Sequence, residues 1–177
     1  MDQQIQWEPL FNDYGNGMVY RNFLFCRQEY AVGFEQIMSI HDMSSKGINL
    51  PAAYPAFIFP RNGVWSVVFD SLDPVTSLPT GYKPIKHGGL ASGRVLFHVA
   101  STIYDHYSVC RAGAYIFTAA ADPERLRTTD LSVIYSRALG LQGYGKSKIF
   151  SRFNGWKAYT DVQTGGRGYV ITTESYP

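Results

Sequence analysis

Residues 86–107 read KHGGLASGRVLFHVASTIYDHY, and the fold turns on how this stretch is understood. Small residues (Gly88, Gly89, Ala91, Ser92, Gly93) crowd its first half. Its second half places Val95, Leu96, Val99, Ile103 and His106 at helical spacing, as on a helix that buries one face. Ser92 is the expected cap of a helix from Gly93 to about Tyr107. Residues 114–119 (AYIFTA) follow as a short, nearly continuous apolar run, the mark of a centre strand covered on both faces.

Working outward, strands are expected on both sides. Upstream, residues 18–26 (MVYRNFLFC) and 30–38 (YAVGFEQIM) flank the polar turn Arg27-Gln28-Glu29, with period-2 alternation at Tyr30, Val32 and Phe34. Residues 41–53 read as a turn-rich connection. A hairpin is expected from residues 56–59, the turn Pro60-Arg61-Asn62-Gly63 and residues 64–69 (VWSVVF). Residues 70–93 are rich in Pro, Gly, Ser and Thr and too long for a passive connector, which predicts a functional loop. Downstream, a second helix runs from a Thr129 or Asp130 cap to Leu139, with Gly140 as its stop and Leu131, Ile134, Tyr135, Ala138 and Leu139 as its apolar stripe. Residues 148–153 or 156–162, then 168–173, close the chain as strands. Strands, helix, strand, helix, strands predict a mixed α/β (α+β) fold. Its centre is a twisted, mostly antiparallel sheet flanked by helices, in one domain of residues 1–177 with 1–17 an irregular lead-in.

Composition narrows the class. The 177 residues suit one domain; 45% are hydrophobic and 17% charged, with a net charge of +2, which argues against a disordered chain. No apolar run is long enough to span a membrane, and the first residues resemble no secretory leader; a cytoplasmic protein is expected. Two cysteines, Cys26 and Cys110, suit a reducing compartment and are expected as buried thiols. Charge is uneven: residues 1–88 hold six basic and eight acidic residues, residues 89–177 ten and six. A basic second half could receive phosphates of a cofactor or nucleic acid, or be ordinary solvated surface.

Residues 140–147 (GLQGYGKS) satisfy the phosphate-loop pattern GxxxxGK[ST]. That chemistry needs a strand before and a helix after. Here a helix precedes, so a glycine-rich turn is expected. His98 and His106 sit eight apart on one helix, about 12 Å, too far to share a metal; no metal site is expected. Phe150, Phe153, Trp156 and Tyr159 interleave with Lys148, Arg152 and Lys157. This spacing is that of a base-stacking platform or of aromatics filling a core.

The element order and two local stretches resemble the GCN5-related N-acetyltransferase family. Lys86-x-x-Gly89-x-Ala91 is similar to the family turn that receives the pyrophosphate of acetyl-coenzyme A, with Lys where Gln or Arg is usual. Residues 129–144 (TDLSVIYSRALGLQGY) are similar to the family helix that carries a tyrosine. The resemblance implies that Lys86, Gly88, Gly89, Leu90, Ala91, Ser92 and Gly93 bind the cofactor and that Tyr135 protonates the departing thiolate. Asp70 and Asp73, just beyond the 64–69 strand, are the carboxylates expected nearest the centre, with Asp70 the candidate base. Two functions follow. One is an acetyl-coenzyme A-dependent N-acetyltransferase with an amine acceptor. The other is a non-catalytic scaffold of phage or mobile-element type that docks on a host protein or nucleic acid.

Overall fold

The computed structural model describes residues 18–81, 90–121, 129–145 and 147–177. Among them the first two strands, β1 (Met18–Phe25) and β2 (Gln28–Ile37), form an antiparallel hairpin from Met18↔Glu35 to Phe25↔Gln28. Its turn is Cys26-Arg27 rather than the expected Arg27-Gln28-Glu29. Both residues take positive φ, 49° and 64°, the two-residue geometry that matches strand twist. The remaining elements are α1 (Ile40–Ser45), α2 (Leu50–Ala53), β3 (Val64–Ser71), α3 (Leu90–Cys110), β4 (Ala114–Thr118), α4 (Leu131–Leu139), β5 (Lys157–Thr160) and β6 (Gly168–Thr172).

The six strands form one sheet in the order β1-β2-β3-β4-β6-β5. β4 pairs antiparallel with β6, and β6 with β5. The β3–β4 pair is parallel, at Val64↔Ala114, Trp65↔Tyr115 and Ser66↔Ile116. A parallel pair needs a crossover, and α3 lies in it. The mixed, mostly antiparallel sheet with helices is therefore as expected, but the hairpin at Asn62-Gly63 is not. Residues 56–59 form no strand, and Gly63 closes a turn back to the Pro60 carbonyl (3.0 Å). Gly113 donates to the Gly63 carbonyl (3.0 Å), and a Cβ at Gly113 would enter the Pro60 ring.

Two further corrections are local. Residues 41–53 hold α1 and α2, where only turns were expected. The Ser39 hydroxyl accepts from the Asp42 amide, and the Asn49 side chain from the Ala52 amide; such caps satisfy the orphan amides of short helices. The stretch 148–153 contains the single helical turn Phe150–Arg152, so β5 realises the other expectation, near 156–162. α4 matches its expected ends, with Asp130 as N-cap and Gly140 as left-handed C-cap.

The described residues divide into two compact units. In the first (residues through Glu35, and Val67–Val109), α3 covers the inner face of the β1–β2 hairpin. Val19, Phe23, Tyr30, Val32 and Phe34 are buried there. Phe23 stacks on Tyr30 (5.2 Å) and Tyr30 on Phe69 (5.6 Å), while His98 of α3 tilts over Phe23 (5.5 Å). In the second unit (Gln36–Ser66, Cys110–Pro177), Ile37, Met43, Ile48, Leu50, Phe57, Val64, Ala114, Ile116 and Val170 form the core.

Candidate functional site

β3 delivers the chain to the candidate site through Asp70, which is buried. Its Oδ1 accepts from the Ser71 amide (2.8 Å) and the Thr80 hydroxyl (3.3 Å), and its Oδ2 from the Gly81 amide (3.1 Å). Ser71 and Thr80 hydroxyls meet at 2.7 Å, and Leu72 bridges to Pro79. Asp73 Oδ1 accepts from the Val75 and Thr76 amides, both at 2.9 Å. These bonds make residues 70–81 a closed loop around two aspartates. Asp70 thus holds its loop by its carboxylate, a role the sequence does not show, because Thr80 and Gly81 lie ten and eleven residues away.

Lys86, Gly88 and Gly89 lie outside the described residues, as does His87. Leu90, Ala91, Ser92 and Gly93 form the first turn of α3, which begins three residues before the expected start. Ser92 is therefore a helical residue and not the cap, and Cys110 is the last helical residue and not one beyond the end. No acidic residue stands in the first turn, and a Cβ at Gly93 would meet open space. The first amides of a helix have no intrahelical partner and carry the positive end of its dipole. An anion at this turn would meet no opposing carboxylate of that turn.

Tyr135 sits half-buried on α4. Its ring stands edge-on to Phe117 (5.4 Å, 90°) and Tyr169 (5.9 Å, 86°). The stripe expected on α4 is only partly buried, and its one buried residue is Ser136. The Ser136 hydroxyl meets the Tyr169 phenol at 2.9 Å, and that phenol also donates to the Ser132 carbonyl (2.7 Å). Burial pushes the Tyr169 phenol above its ordinary range. Arg167 donates through Nε to the Ala119 carbonyl (2.6 Å) and through one Nη to Ala120 (2.7 Å) and Asp130 (2.9 Å). Burial would raise the Asp130 carboxyl, but bonds from Ser132 and the Arg167 guanidinium hold it below its ordinary value. Asp130 in turn accepts from the Ser132 amide (2.8 Å). Arg167 therefore ties the end of β4 to the start of the helix that carries Tyr135.

The remaining motifs resolve structurally. Gly140 ends α4, the Leu141 amide returns to the Ser136 carbonyl (2.8 Å), and the Ser147 hydroxyl donates to Ala138 (2.7 Å). The GxxxxGKS stretch is thus a helix C-terminus, where carbonyls rather than amides are exposed. Lys146 lies outside the described residues. Phe150 and Trp156 are buried, with Trp156 stacked on Tyr115 (5.9 Å) and tilted on Phe153 (4.9 Å), and Tyr159 lies flat on Tyr54 (4.0 Å). Phe150 and Trp156 thus serve the core, while Phe153 and Tyr159 are half-buried. Of the basic residues, Arg167 is bound internally, Arg137 lies over the Tyr144 ring (5.3 Å), and Arg152 and Lys157 are exposed. Burial and nearby Arg21 lower His106 to about 4, so it is neutral at physiological pH. Both cysteines are free thiols; contrary to expectation Cys26 is exposed and Cys110 only part-buried. Among the described residues no cluster of His, Cys, Asp and Glu could hold a metal, and no helix is long and apolar enough to cross a membrane. No family model, no curated protein and no solved structure matches the chain.

Proposed function

We propose that this chain is an acyl-coenzyme A-dependent N-acetyltransferase acting on an amine. The observation that carries the reading is the crossover β3–α3–β4, a parallel pair within a mostly antiparallel sheet. In open sheets with parallel pairs, ligands bind beyond the carboxyl ends of the strands, where helix amino ends converge. The segment that joins β3 to α3 is the glycine-rich stretch whose sequence resembles the family's pyrophosphate turn.

Three observations support a coenzyme diphosphate at this turn. Gly93 adds no side chain, the first turn holds no carboxylate, and Asp70 fixes the loop on the β3 side. In this reading the backbone amides of residues 90–93, at the start of α3, meet the diphosphate. When bound, the coenzyme supplies a thioester whose acyl carbon passes to the amine nitrogen as the carbon–sulfur bond breaks. The resemblance assigns Tyr135 the proton for the departing sulfur; the proton that the amine loses passes to solvent, from which the phenol is restored. Asp70, with its oxygens turned to its own loop, acts by positioning rather than as the base.

Release of free thiol from acetyl-coenzyme A, measured against a panel of primary amines and amine-bearing peptides, tests this function. Turnover above the amine-only background is expected, and Tyr135→Phe is expected to lower it by about 10²-fold or more. Absence of thiol release with every acceptor at millimolar coenzyme would overturn the proposal.

A further inference from the structure

The outer face of α3 is unlike an ordinary solvated helix face. Its 21 residues include only two formally charged side chains, Arg94 and Asp105. Phe97 and Tyr104 are 38% and 47% exposed on it, and Arg94 and Ser108 are exposed alongside. At about 100° per residue, Phe97 and Tyr104 fall on one flank of this face, Arg94 and Asp105 on the other, and Ser101 and Ser108 between them.

This layout is complementary to itself. A two-fold axis perpendicular to two antiparallel helices brings each flank against the same flank of its copy. Phe97 then meets Tyr104 of the second copy, and Arg94 meets its Asp105. The midpoint of Phe97 and Tyr104 falls between Ala100 and Ser101; that of Arg94 and Asp105 falls between Val99 and Ala100. The two midpoints lie one residue, about 1.5 Å, apart along the helix, an offset that long side chains take up, so one axis serves both pairings. The residues near it, Ala100 and Ser101, are small enough for close helix approach. Within the chain Asp105 already lies 3.6 Å from Arg21, and its side chain remains 45% exposed. A carboxylate has acceptor sites for a second guanidinium. Arg94 has no ion-pair partner among the described residues.

We infer that this face is a homodimer interface in which α3 packs antiparallel on α3 of a second copy. The occupant is a copy of this chain because charge and apolar residues match about a single axis. A helix pair of this size supports a dimer with a dissociation constant of about 1–100 µM rather than an obligate one.

Sedimentation velocity of the full chain across that concentration range tests the inference. A concentration-dependent dimer is expected. Arg94→Glu sets like charges against Asp105 and is expected to raise the dissociation constant about tenfold or more, less at high salt. Tyr104→Glu is expected to give a monomer. Both sites are exposed, so far-UV circular dichroism of each variant should match the parent. Ser101→Cys in a Cys26→Ser background is expected to form an intermolecular disulfide under mild oxidation, because the two positions face each other at the axis. A chain monomeric at about 100 µM, a dimer indifferent to both charge variants, or a Ser101→Cys chain that does not cross-link would each overturn the interface.

Discussion

The imidazole of His106 lies flat on the ring of Phe34, with centroids 4.2 Å apart and planes 5° from parallel. Burial against this ring, with Arg21 nearby, lowers its pKa from 6.5 to about 4. The unfolded chain takes up a proton below pH 6.5, and the folded chain does not until about pH 4. Stability from His106 is therefore complete above pH 6.5 and drains as pH falls toward 4, by up to roughly 3 kcal/mol. Burial raises Asp105 while Arg21 lowers it, with burial the larger effect. Its protonation then favours the folded chain and offsets part of the loss at the acid end. Urea midpoints from pH 7.5 to 4.5 should fall along this curve. His106→Phe, which keeps the stack, should flatten the fall, and a midpoint independent of pH would contradict the assignment.

Asp161 is expected to be among the costliest single substitutions. It is buried, its Oδ1 accepts from the Gly168 amide (2.7 Å) and its Oδ2 from the Asn49 amide (3.0 Å). It thereby joins the start of α2 to the start of β6. Asp161→Asn replaces one acceptor by a donor facing an N–H group. The expected loss is about 2–3 kcal/mol, or about 5–10 °C in melting temperature. A shift under 2 °C would mean that the two amides find other partners.

The Arg167–Asp130 pair should behave as a tie and not as a surface ion pair. Asp130→Ala removes both the cap of α4 and an acceptor of Arg167, an expected cost of about 1–2 kcal/mol. Because both side chains are partly exposed, the coupling in a double-mutant cycle should be smaller, about 0.5–1 kcal/mol. Additive losses would show that Arg167 acts through the Ala119 and Ala120 carbonyls alone.

What the sequence discloses depends on how far apart the partners lie. α4 was legible at both ends because Asp130 and Gly140 act within a few residues of themselves. The β1–β2 hairpin was legible from its alternation, with the turn misplaced by a residue because Cys26 and Arg27 are not usual left-handed residues. Asn62-Gly63 does form a turn, but the strand after it pairs with β4 some fifty residues onward, so a local hairpin reading failed. Asn49 and Asp161 illustrate the limit: their bond spans 112 residues, and neither residue carries a motif. For the candidate site, the helix following the glycines and the placement of Tyr135 on α4 were legible. The carboxylate contacts of Asp70 were not, since an aspartate in a turn-rich stretch reads the same whether it faces solvent or its own loop.

In the proposed function a diphosphate sits at the first turn of α3, reached past Gly93. A side chain at Gly93 meets open space, so Gly93→Asp should fold, and a carboxylate in the first turn should even favour the helix. The same carboxylate would repel a bound diphosphate. The most direct measurement is calorimetric titration of coenzyme A into the parent chain and into Gly93→Asp, with pantetheine, which lacks the diphosphate, as the control ligand. Binding of coenzyme A to the parent, an affinity at least about tenfold lower in the variant, and pantetheine binding equal in the two proteins are the predicted results. No heat from millimolar coenzyme A with the folded parent, or equal affinity in both proteins, would contradict the account.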